Sequence, residues 1–284
     1  MSQYDEPLDS GFIDDIARSK ARYEELRELQ WDFYSELAYQ RSKIYDSLKN
    51  ALRDHSCSFE VPKWQRAVKY RYCLHPLGTK GSLADPGGRF NIGEIDTMRY
   101  PVFSALYLAS DKSTAFAELL GRAPSFDGSL TPEEIALTQP DSIAVVSVSG
   151  HLESVLDISD NSNLSEFVAL VKSFRLSASL KAKANKLRFP LRIITTVQEL
   201  STVLHASDWR QWPSLYDVPT ATQIFGRIAL DAQIEGILYK SALTEKPCLA
   251  VYPQNFQNSS SYIELDDQTP REVVVRRLDS SNCK

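Results

Sequence analysis

The stretch GGRFNIGEIDTMRYPVFSALYLASDKSTAFAELL, from Gly87 to Leu120, decides how the middle of the chain folds. It follows an Asp-Pro pair, and glycines after a proline predict a tight turn that presents Arg89 at its exit. The apolar run SALYLA predicts a short buried strand. KSTAFAELL then predicts a helix, capped by Asp111 or Ser113 and ended by Gly121. The stretch thus predicts a turn, a strand and a helix in succession.

Arg89 and Glu118 are the two side chains of this stretch that can flank one polyanionic ligand. A guanidinium suits a pyrophosphate because it donates several hydrogen bonds in a fixed fork and stays charged. Each residue also has a simpler interpretation: Arg89 as a solvated residue after a turn, Glu118 as the partner of Arg122 in a surface ion pair. Tyr107 is either a core aromatic or a residue whose ring lines a pocket.

The composition is that of an ordinary globular protein, with 43% hydrophobic and 24% charged residues and a net charge of -5. This charge does not favour direct binding of nucleic acid. No apolar run reaches the roughly 18 residues that would span a membrane. The first ten residues are acidic and polar, unlike a Sec-type signal peptide. We therefore expect a cytoplasmic protein, or one exported by a route that leaves no such signal.

The cysteines and histidines show no metal-binding pattern. The cysteines are Cys57, Cys73, Cys248 and Cys283, without a CxxC spacing. The four histidines form no HExxH or HxH pattern. We expect reduced cysteines and no metal site.

Residues 11–53 are rich in helix formers, and apolar residues recur at helical spacing. They predict one long amphipathic helix or a helical hairpin. Its apolar stripe must be covered, by the chain's own domain, by a sister subunit, or by a partner for which it serves as a dedicated arm. Pro62 and the polar run before it indicate a boundary near residue 60. We therefore expect a helical extension over 1–60 and a catalytic domain over 61–284.

Further strands and helices are predicted in the rest of the chain. The predicted strands are Ala67–His75, Ser142–Gly150 and the ESVLDIS segment after it, Gly236–Ser241, Cys248–Pro253 and the EVVVRRL segment near the C-terminus. Helices are predicted over Leu164–Leu180 and after Pro219.

Two clusters in this part of the chain are open to more than one interpretation. The basic cluster of Lys181, Lys183, Lys186 and Arg188 fits a solvated face better than a contact for an anionic ligand or nucleic acid, because the chain as a whole is acidic. The aromatic cluster of Trp209, Trp212 and Tyr216 fits loop anchors better than a stacking platform for nucleic acid, because few basic residues lie between the rings.

Three motifs in order resemble the RES domain, a family of bacterial NAD-consuming toxins. They are GGRFN with Arg89, ALYLASDKSTAFAE with Glu118, and TATQIFGRIAL followed by EGILYKS with Ser241. The resemblance covers roughly residues 66–280; the helical segment before residue 60 and the stretch 121–215 fall outside its motifs. Ser241 lacks the GxSxG context of a hydrolase nucleophile.

The resemblance implies an α+β fold of the ADP-ribosyltransferase type, a split, mostly antiparallel β core with flanking helices, to which this chain adds its N-terminal helical extension. It implies a toxin that degrades NAD, its substrate, by cleaving the nicotinamide–ribose bond through hydrolysis or phosphorolysis, so that the cell loses NAD and stops growing. The alternatives are a protein ADP-ribosyltransferase that uses the same site, and a non-catalytic interaction protein that acts through its helical arm.

The resemblance also implies roles for individual residues and partners. Arg89, Glu118 and Ser241 would form the catalytic set, with no metal. Arg89 would hold the phosphate or ribose oxygens of NAD, Ser241 would orient the nicotinamide ribose, and Tyr107 would line the pocket beside the nicotinamide. Glu118 would bind a ribose hydroxyl and stabilise the positive charge that develops as nicotinamide leaves. The expected protein partner is a helix-turn-helix antitoxin, and the N-terminal helices could also join copies of the chain into a homo-oligomer.

Overall fold

The computed structural model of the protein describes residues 10–121, 143–266 and 271–283. Strands and helices are interspersed along these residues, so the predicted α+β class is confirmed. The helices are α1 (Ser10–Lys43), α2 (Tyr45–Arg53), α3 (Lys112–Leu120), α4 (Ser165–Val171), α5 (Ala178–Leu187), α6 (Val197–Leu204), α7 (Gln211–Tyr216) and α8 (Ala221–Asp231). The strands are β1 (Cys57–Lys69), β2 (Gly87–Gly88), β3 (Asn91–Ile92), β4 (Leu106–Ala109), β5 (Ile143–Asp157), β6 (Gly236–Lys240), β7 (Pro247–Val251), β8 (Tyr262–Leu265) and β9 (Arg277–Leu278).

The main sheet has the strand order β1-β4-β7-β6-β5-β8-β9. Because β1 also pairs with β5, the strands β1, β4, β7, β6 and β5 form a closed circuit. The pair β5–β6 is parallel, and the other pairs between described strands are antiparallel. One edge of β5 is shared: Val148–His151 pair with β8, and Val155–Asp157 pair with β6. The short strands β2 and β3 form a separate hairpin.

The predicted strand over Ala67–His75 was wrong in its bounds. The strand β1 runs from Cys57 to Lys69, and a 3-10 turn follows it. The bounds of β1 are set by its pairing with β5, which extends from Cys57 to Lys69. Local β propensity does not predict this long-range pairing. Pro62 lies in a β-bulge at which the register with β5 shifts, a position where a strand tolerates the missing proline amide. Residue 60 therefore lies within β1, and the division of the chain into two domains stays a prediction.

The other predicted strands and helices differ from the observed ones mainly in their bounds. Strand β5 continues through both predicted segments, Ser142–Gly150 and ESVLDIS, although Ser142 lies outside the described residues. Strands β6 and β7 confirm the predictions for the GILYKS and CLAVYP segments. The predicted helix over Leu164–Leu180 is interrupted, since α4 ends at Val171 and α5 begins at Ala178. The EVVVRRL segment forms a strand only at Arg277–Leu278.

The N-terminal helices pack on the chain's own body. The long predicted helix is broken at Ile44, which separates α1 from α2. On α1, Leu29 is 0% exposed and packs with Leu180, Ala184 and Leu187 of α5. On α2, the buried side chains Leu48, Ala51 and Leu52 join the main core beneath α4 and α8. Much of the apolar stripe is therefore covered within one chain.

Two residues of the basic cluster, Lys183 and Lys186 on α5, contact α1. Lys183 pairs with Glu28 and Asp32, and Lys186 pairs with Glu25. These carboxylates and ammonium groups are partly exposed, so each pair adds at most about 1 kcal/mol. Their alignment beside the Leu29 contact fixes the position of α1 along α5.

We predict that Leu29→Ala destabilises the folded chain, because it opens a cavity between α1 and α5. The expected loss in free energy of unfolding is ~2–5 kcal/mol, measured by urea denaturation followed by circular dichroism. The matched control is Tyr39→Ala, on the same helix and 64% exposed. Equal small losses in the two variants would mean that α1 does not pack as described.

Candidate active site

The glycine turn is a two-stranded hairpin that carries Arg89 and Phe90 between β2 and β3. Gly87 has φ of 97°, a conformation that favours glycine, and a Cβ there would lie 2.4 Å from the amide nitrogen of Gly93. A Cβ on Gly88 would lie 2.3 Å from the hydroxyl of Tyr107. Both glycines are therefore required by close contacts, and Arg89 leaves the hairpin in one fixed direction.

Asn91 holds the hairpin to its surroundings. Its Oδ1 accepts from the amide of Gly88 and from the hydroxyl of Tyr107, both at 2.9 Å. Its Nδ2 donates to the carbonyls of Ser82 at 2.7 Å and Phe103 at 3.0 Å. Both ends of this buried amide are thus satisfied, and the turn is fixed to the strand that carries Tyr107.

Arg89 is 5% exposed, so it is not the solvated turn residue that the simpler interpretation describes. Its Nη1 donates to the carbonyls of Leu204 at 3.1 Å and Ala206 at 2.8 Å. Its guanidinium carbon lies 5.9 Å from the ring centroid of Trp209. The buried Nε has no hydrogen-bond partner in residues 10–121, 143–266 and 271–283. One edge of the guanidinium is therefore anchored, while a donor remains unused.

Glu118 is presented by α3, which begins and ends as predicted. The side chain of Asp111 accepts from the amide of Thr114 at 2.9 Å, and Gly121 ends the helix in the left-handed conformation with φ of 68°. The Oε1 of Glu118 accepts a hydrogen bond of 2.6 Å from the hydroxyl of Ser241. Arg122, the alternative partner of Glu118, lies outside the described residues.

Ser241 is fully buried at the end of β6. While it donates to Glu118, its Oγ accepts from the amides of Leu243 at 3.1 Å and Thr244 at 3.2 Å. These two amides leave the hydroxyl proton pointing at the carboxylate. Ser241 therefore orients Glu118.

Tyr107 contacts both the turn and the pocket. Its hydroxyl donates to Asn91 and accepts from the amide of Phe90 at 2.9 Å. Burial raises the pKa of Tyr107 well above its ordinary value, against the smaller opposing effects of the Phe90 amide and the Arg89 charge. The phenol thus stays neutral and remains a donor, while its ring lines the pocket.

A cavity of about 290 Å³ brings three of the four proposed residues together, since Arg89, Tyr107 and Glu118 line it. Ser241 is absent from the described lining and lies behind Glu118. Glu118 is the one carboxylate among the described lining residues. The basic lining residues are Arg66, Lys69, Arg71, Arg89 and Arg210. This excess of cations suits a ligand with several negative charges.

Comparison with known proteins supports the resemblance noted in the sequence. The model of the RES domain matches residues 63–271, which is most of the chain. The chain belongs to the RES domain family. The matched range includes the stretch 121–215, which carries none of the three motifs.

Among solved structures, the RES domain chain is similar to the crystal structure of the M. tuberculosis MbcT-MbcA toxin-antitoxin complex. The TM-score is 0.41 at 14% sequence identity, over 80% of this chain and 94% of that chain. No curated protein matches the sequence.

Helix α8 clamps the glycine turn of this RES domain. The Nε2 of Gln223 donates to the carbonyls of Pro86 at 2.7 Å, Asn91 at 3.1 Å and Gly88 at 3.3 Å. Its Oε1 accepts from the amide of Thr220, which completes a capping box at the start of α8. The TATQ segment is thus both a helix start and a support for the turn.

Trp209 and Arg210 are among the pocket residues that sequence reasoning missed. Trp209 is 8% exposed, which agrees with an anchoring role, but it also lines the pocket. The guanidinium carbon of Arg210 lies 5.1 Å from the ring centroid of Trp209, and its Nη2 is 3.5 Å from the carbonyl of Glu118. The adjacent Trp-Arg pair in HASDWRQW was the available signal, since the two side chains can form a cation–π contact.

Arg66 forms another wall of the same pocket. Its guanidinium donates to the carbonyls of Pro76 at 2.7 Å, Gly78 at 2.7 Å and Tyr107 at 3.1 Å. Burial lowers the pKa of Arg66 to about 10, so it remains charged at neutral pH. It holds the loop before the glycine turn and contributes positive potential to the pocket.

Two other features, a metal-binding cluster and a membrane-spanning helix, are not found among the described residues. Within residues 10–121, 143–266 and 271–283, no group of three or more His, Cys, Asp or Glu side chains is arranged to hold a metal ion. In the same residues, no helix has the length and apolar character needed to cross a membrane.

We predict that Gly226→Ala displaces α8 from the glycine turn. A Cβ on Gly226 would lie 2.1 Å from the carbonyl oxygen of Phe90, so backbone must move. Although alanine favours a helix by ~1 kcal/mol, the overpacking should lower the free energy of unfolding by ~1–3 kcal/mol. Urea denaturation measures it, with Gly81→Ala as the matched control because its Cβ would make only a 3.5 Å contact with the Tyr72 ring. Greater stability of Gly226→Ala than of the wild type would contradict this packing.

Proposed function

We propose that this RES domain protein is a bacterial toxin that degrades NAD by cleaving the bond between nicotinamide and ribose. The observation that carries the proposal is one pocket in which Glu118, hydrogen-bonded by Ser241, is the one carboxylate among the described lining residues, beside basic side chains that include Arg89. NAD has matching chemistry, with a negative pyrophosphate at its centre and a cationic nicotinamide ring at one end.

The basic side chains of the pocket would bind the pyrophosphate. Arg89 keeps its Nε unpaired and buried, although its Nη1 is anchored to two carbonyls. A buried donor without a partner is costly, and a phosphate oxygen would satisfy it. Arg210 lies against Trp209 on the same side of the pocket and could contact the second phosphate. Tyr107 offers an aromatic ring at the nicotinamide end.

Glu118 would act by stabilising charge. When the bond between nicotinamide N1 and ribose C1′ breaks, its electron pair leaves with nicotinamide, which becomes neutral. The ribose gains the positive charge of an oxocarbenium ion, and a preorganised carboxylate beside it lowers the barrier. Water then bonds to C1′ and loses a proton in hydrolysis, while phosphate takes its place in phosphorolysis. A metal is not required by these steps.

Ser241 is a positioning residue in this proposal. Its hydroxyl is fully buried and its hydrogen bonds are directed to Glu118 and two backbone amides. It is not among the described residues that line the pocket. It would therefore act by holding Glu118 in one rotamer.

The proposal extends to the fold type and to a partner. The closed circuit of strands and the shared edge of β5 are consistent with a split core of the ADP-ribosyltransferase type. Membership of the RES domain family supports a helix-turn-helix antitoxin as the partner. A homo-oligomer through the N-terminal helices stays a prediction.

We predict that Glu118→Gln strongly slows NAD consumption. Glutamine keeps the acceptor for Ser241 but carries no charge, so the oxocarbenium-like state loses its counter-charge. We expect kcat to fall by ~10²–10³-fold, measured as nicotinamide release from NAD by the purified protein. The matched control is Glu94→Gln, an exposed carboxylate outside the pocket.

The assay also separates the alternatives. Phosphate-dependent formation of ADP-ribose 1″-phosphate indicates phosphorolysis, free ADP-ribose indicates hydrolysis, and labelled ADP-ribose on a protein band indicates transfer. If wild-type protein releases no nicotinamide with water, phosphate or protein acceptors present, and its induction leaves cellular NAD unchanged, the enzymatic proposal is wrong.

We predict that Ser241→Ala lowers kcat by roughly 10- to 100-fold, the effect of a hydrogen bond to a charged group worth ~1.5–3 kcal/mol. KM for NAD should change less than about twofold, because Ser241 does not contact the substrate. Ser260→Ala is the matched control, since it removes a serine donor to Glu153 outside the pocket. A rise in KM with unchanged kcat would instead place Ser241 in substrate binding.

A further inference from the structure

A second cavity of about 570 Å³ lies between α1 and the helices beneath it, α4, α6, α7 and α8. Its walls are mostly aromatic and aliphatic, including Phe33, Leu37, Phe167, Val171, Phe174 and Trp212. Sites for small organic ligands typically enclose about 300–1,000 Å³ and combine such walls with a few polar groups. The size and lining of this cavity are those of a ligand site.

The cavity runs along α1. The α1 residues that line it are Gln30, Phe33, Tyr34, Leu37 and Arg41. These positions form one continuous stripe on the helix. Gln30 and Arg41 are eleven residues apart, so they lie about 16 Å apart along the helix axis. An occupant that reaches both must be elongated.

A donor without a partner marks one end of the stripe. Gln30 lines the cavity and is 1% exposed, and its buried Nε2 has no hydrogen-bond partner among the residues that the structure describes. A buried donor without an acceptor costs free energy, and few buried polar side chains in native proteins are unpaired. We therefore expect a ligand of this cavity to place a neutral oxygen acceptor beside Gln30.

A guanidinium without a carboxylate marks the other end. Arg41 lines the cavity with its guanidinium carbon 5.6 Å from the ring centroid of Tyr34, and no carboxylate in the described part of the chain pairs with it. Burial lowers the pKa of Arg41, yet the group stays charged at neutral pH. The other charged lining residues, Arg192 and Asp208, are exposed at the rim. Arg41 therefore lacks an anion.

We propose that this cavity binds an elongated monocarboxylate with a hydrocarbon body of about twelve carbons, its carboxylate at Arg41 and a hydroxyl oxygen at Gln30. The apolar walls would take the hydrocarbon, and a chain of this length spans the distance between the two polar groups. Charge complementarity selects the acid over a neutral lipid.

The two cavities share a wall. Trp209 lines both of them, and Ala206, whose carbonyl anchors Arg89, lines the second. A ligand in the second cavity thus contacts the segment that holds Arg89, and the fluorescence of Trp209 and Trp212, which both line this cavity, reports its binding. This measurement is independent of NAD turnover.

The test titrates the full chain with 12-hydroxydodecanoate, dodecanoate and 1-dodecanol below their aggregation concentrations, by calorimetry and tryptophan fluorescence. We expect one 12-hydroxydodecanoate per chain and at least tenfold weaker binding of the neutral alcohol. Dodecanoate, which lacks the terminal hydroxyl, should bind less tightly than the hydroxy acid. Because Trp212 also lines this cavity, Trp209→Phe should keep a smaller fluorescence response than the wild type, and that difference would place the ligand at the shared wall.

Two variants separate the polar contacts. Arg41→Met should weaken 12-hydroxydodecanoate at least tenfold and leave dodecanol unchanged, whereas Lys43→Met, an exposed cation on the same helix, should change neither. Gln30→Met should remove the preference for the terminal hydroxyl. The proposal is overturned if the wild-type chain binds none of the acids, or binds dodecanol as tightly as dodecanoate. That comparison needs no variant, so misfolding of Arg41→Met would not leave it undecided.

Discussion

Three hydrogen bonds from the amide of Gln223 hold the glycine turn, and the placement of the pocket depends on them. The hairpin has only two residues in each strand, so its own ladder cannot satisfy the carbonyls around it. A buried side-chain amide on a capped helix supplies the missing donors. Gly226, one turn further along α8, lets the helix backbone approach the carbonyl of Phe90. Helix and turn thus form one unit, and Arg89 is directed into the pocket by that unit.

The sheet explains why Glu118 and Ser241 meet although 123 positions separate them. Strands β4 and β6 both pair antiparallel with β7, so they run in the same direction on either side of it. Both end beside the start of β7, at its Pro247–Cys248 segment. Helix α3 starts after the end of β4, and Ser241 follows β6 directly. The C-terminal ends of β4 and β6 are two strand spacings, about 10 Å, apart. Two motifs that are distant in sequence therefore meet at the same end of the sheet.

The sequence allowed prediction of features that local chemistry determines. The turn, the capped helix α3 and the strands β6 and β7 follow from glycine, capping residues and apolar runs. The start of β1 did not, because its pairing with β5 and the bulge at Pro62 depend on residues far along the chain. The partners of Lys183 and Lys186 on α1 could not be predicted either, because they lie far away in the sequence. Arg89 and Glu118 were found by residue type and motif, while Arg210 enters the pocket only through the path of a loop.

The state of Arg89 constrains what the pocket can bind. Its Nη1 is committed to two backbone carbonyls, so this guanidinium has a fixed position before any ligand arrives. The edge formed by Nε and Nη2 has the geometry to donate to two oxygens of a phosphate, and the buried Nε has no acceptor within the described part of the chain. Arg66 and Arg210 add positive potential that Glu118 alone does not balance. A neutral ligand would leave both the donor and this charge unsatisfied, so the described lining of the pocket favours an anionic group at Arg89.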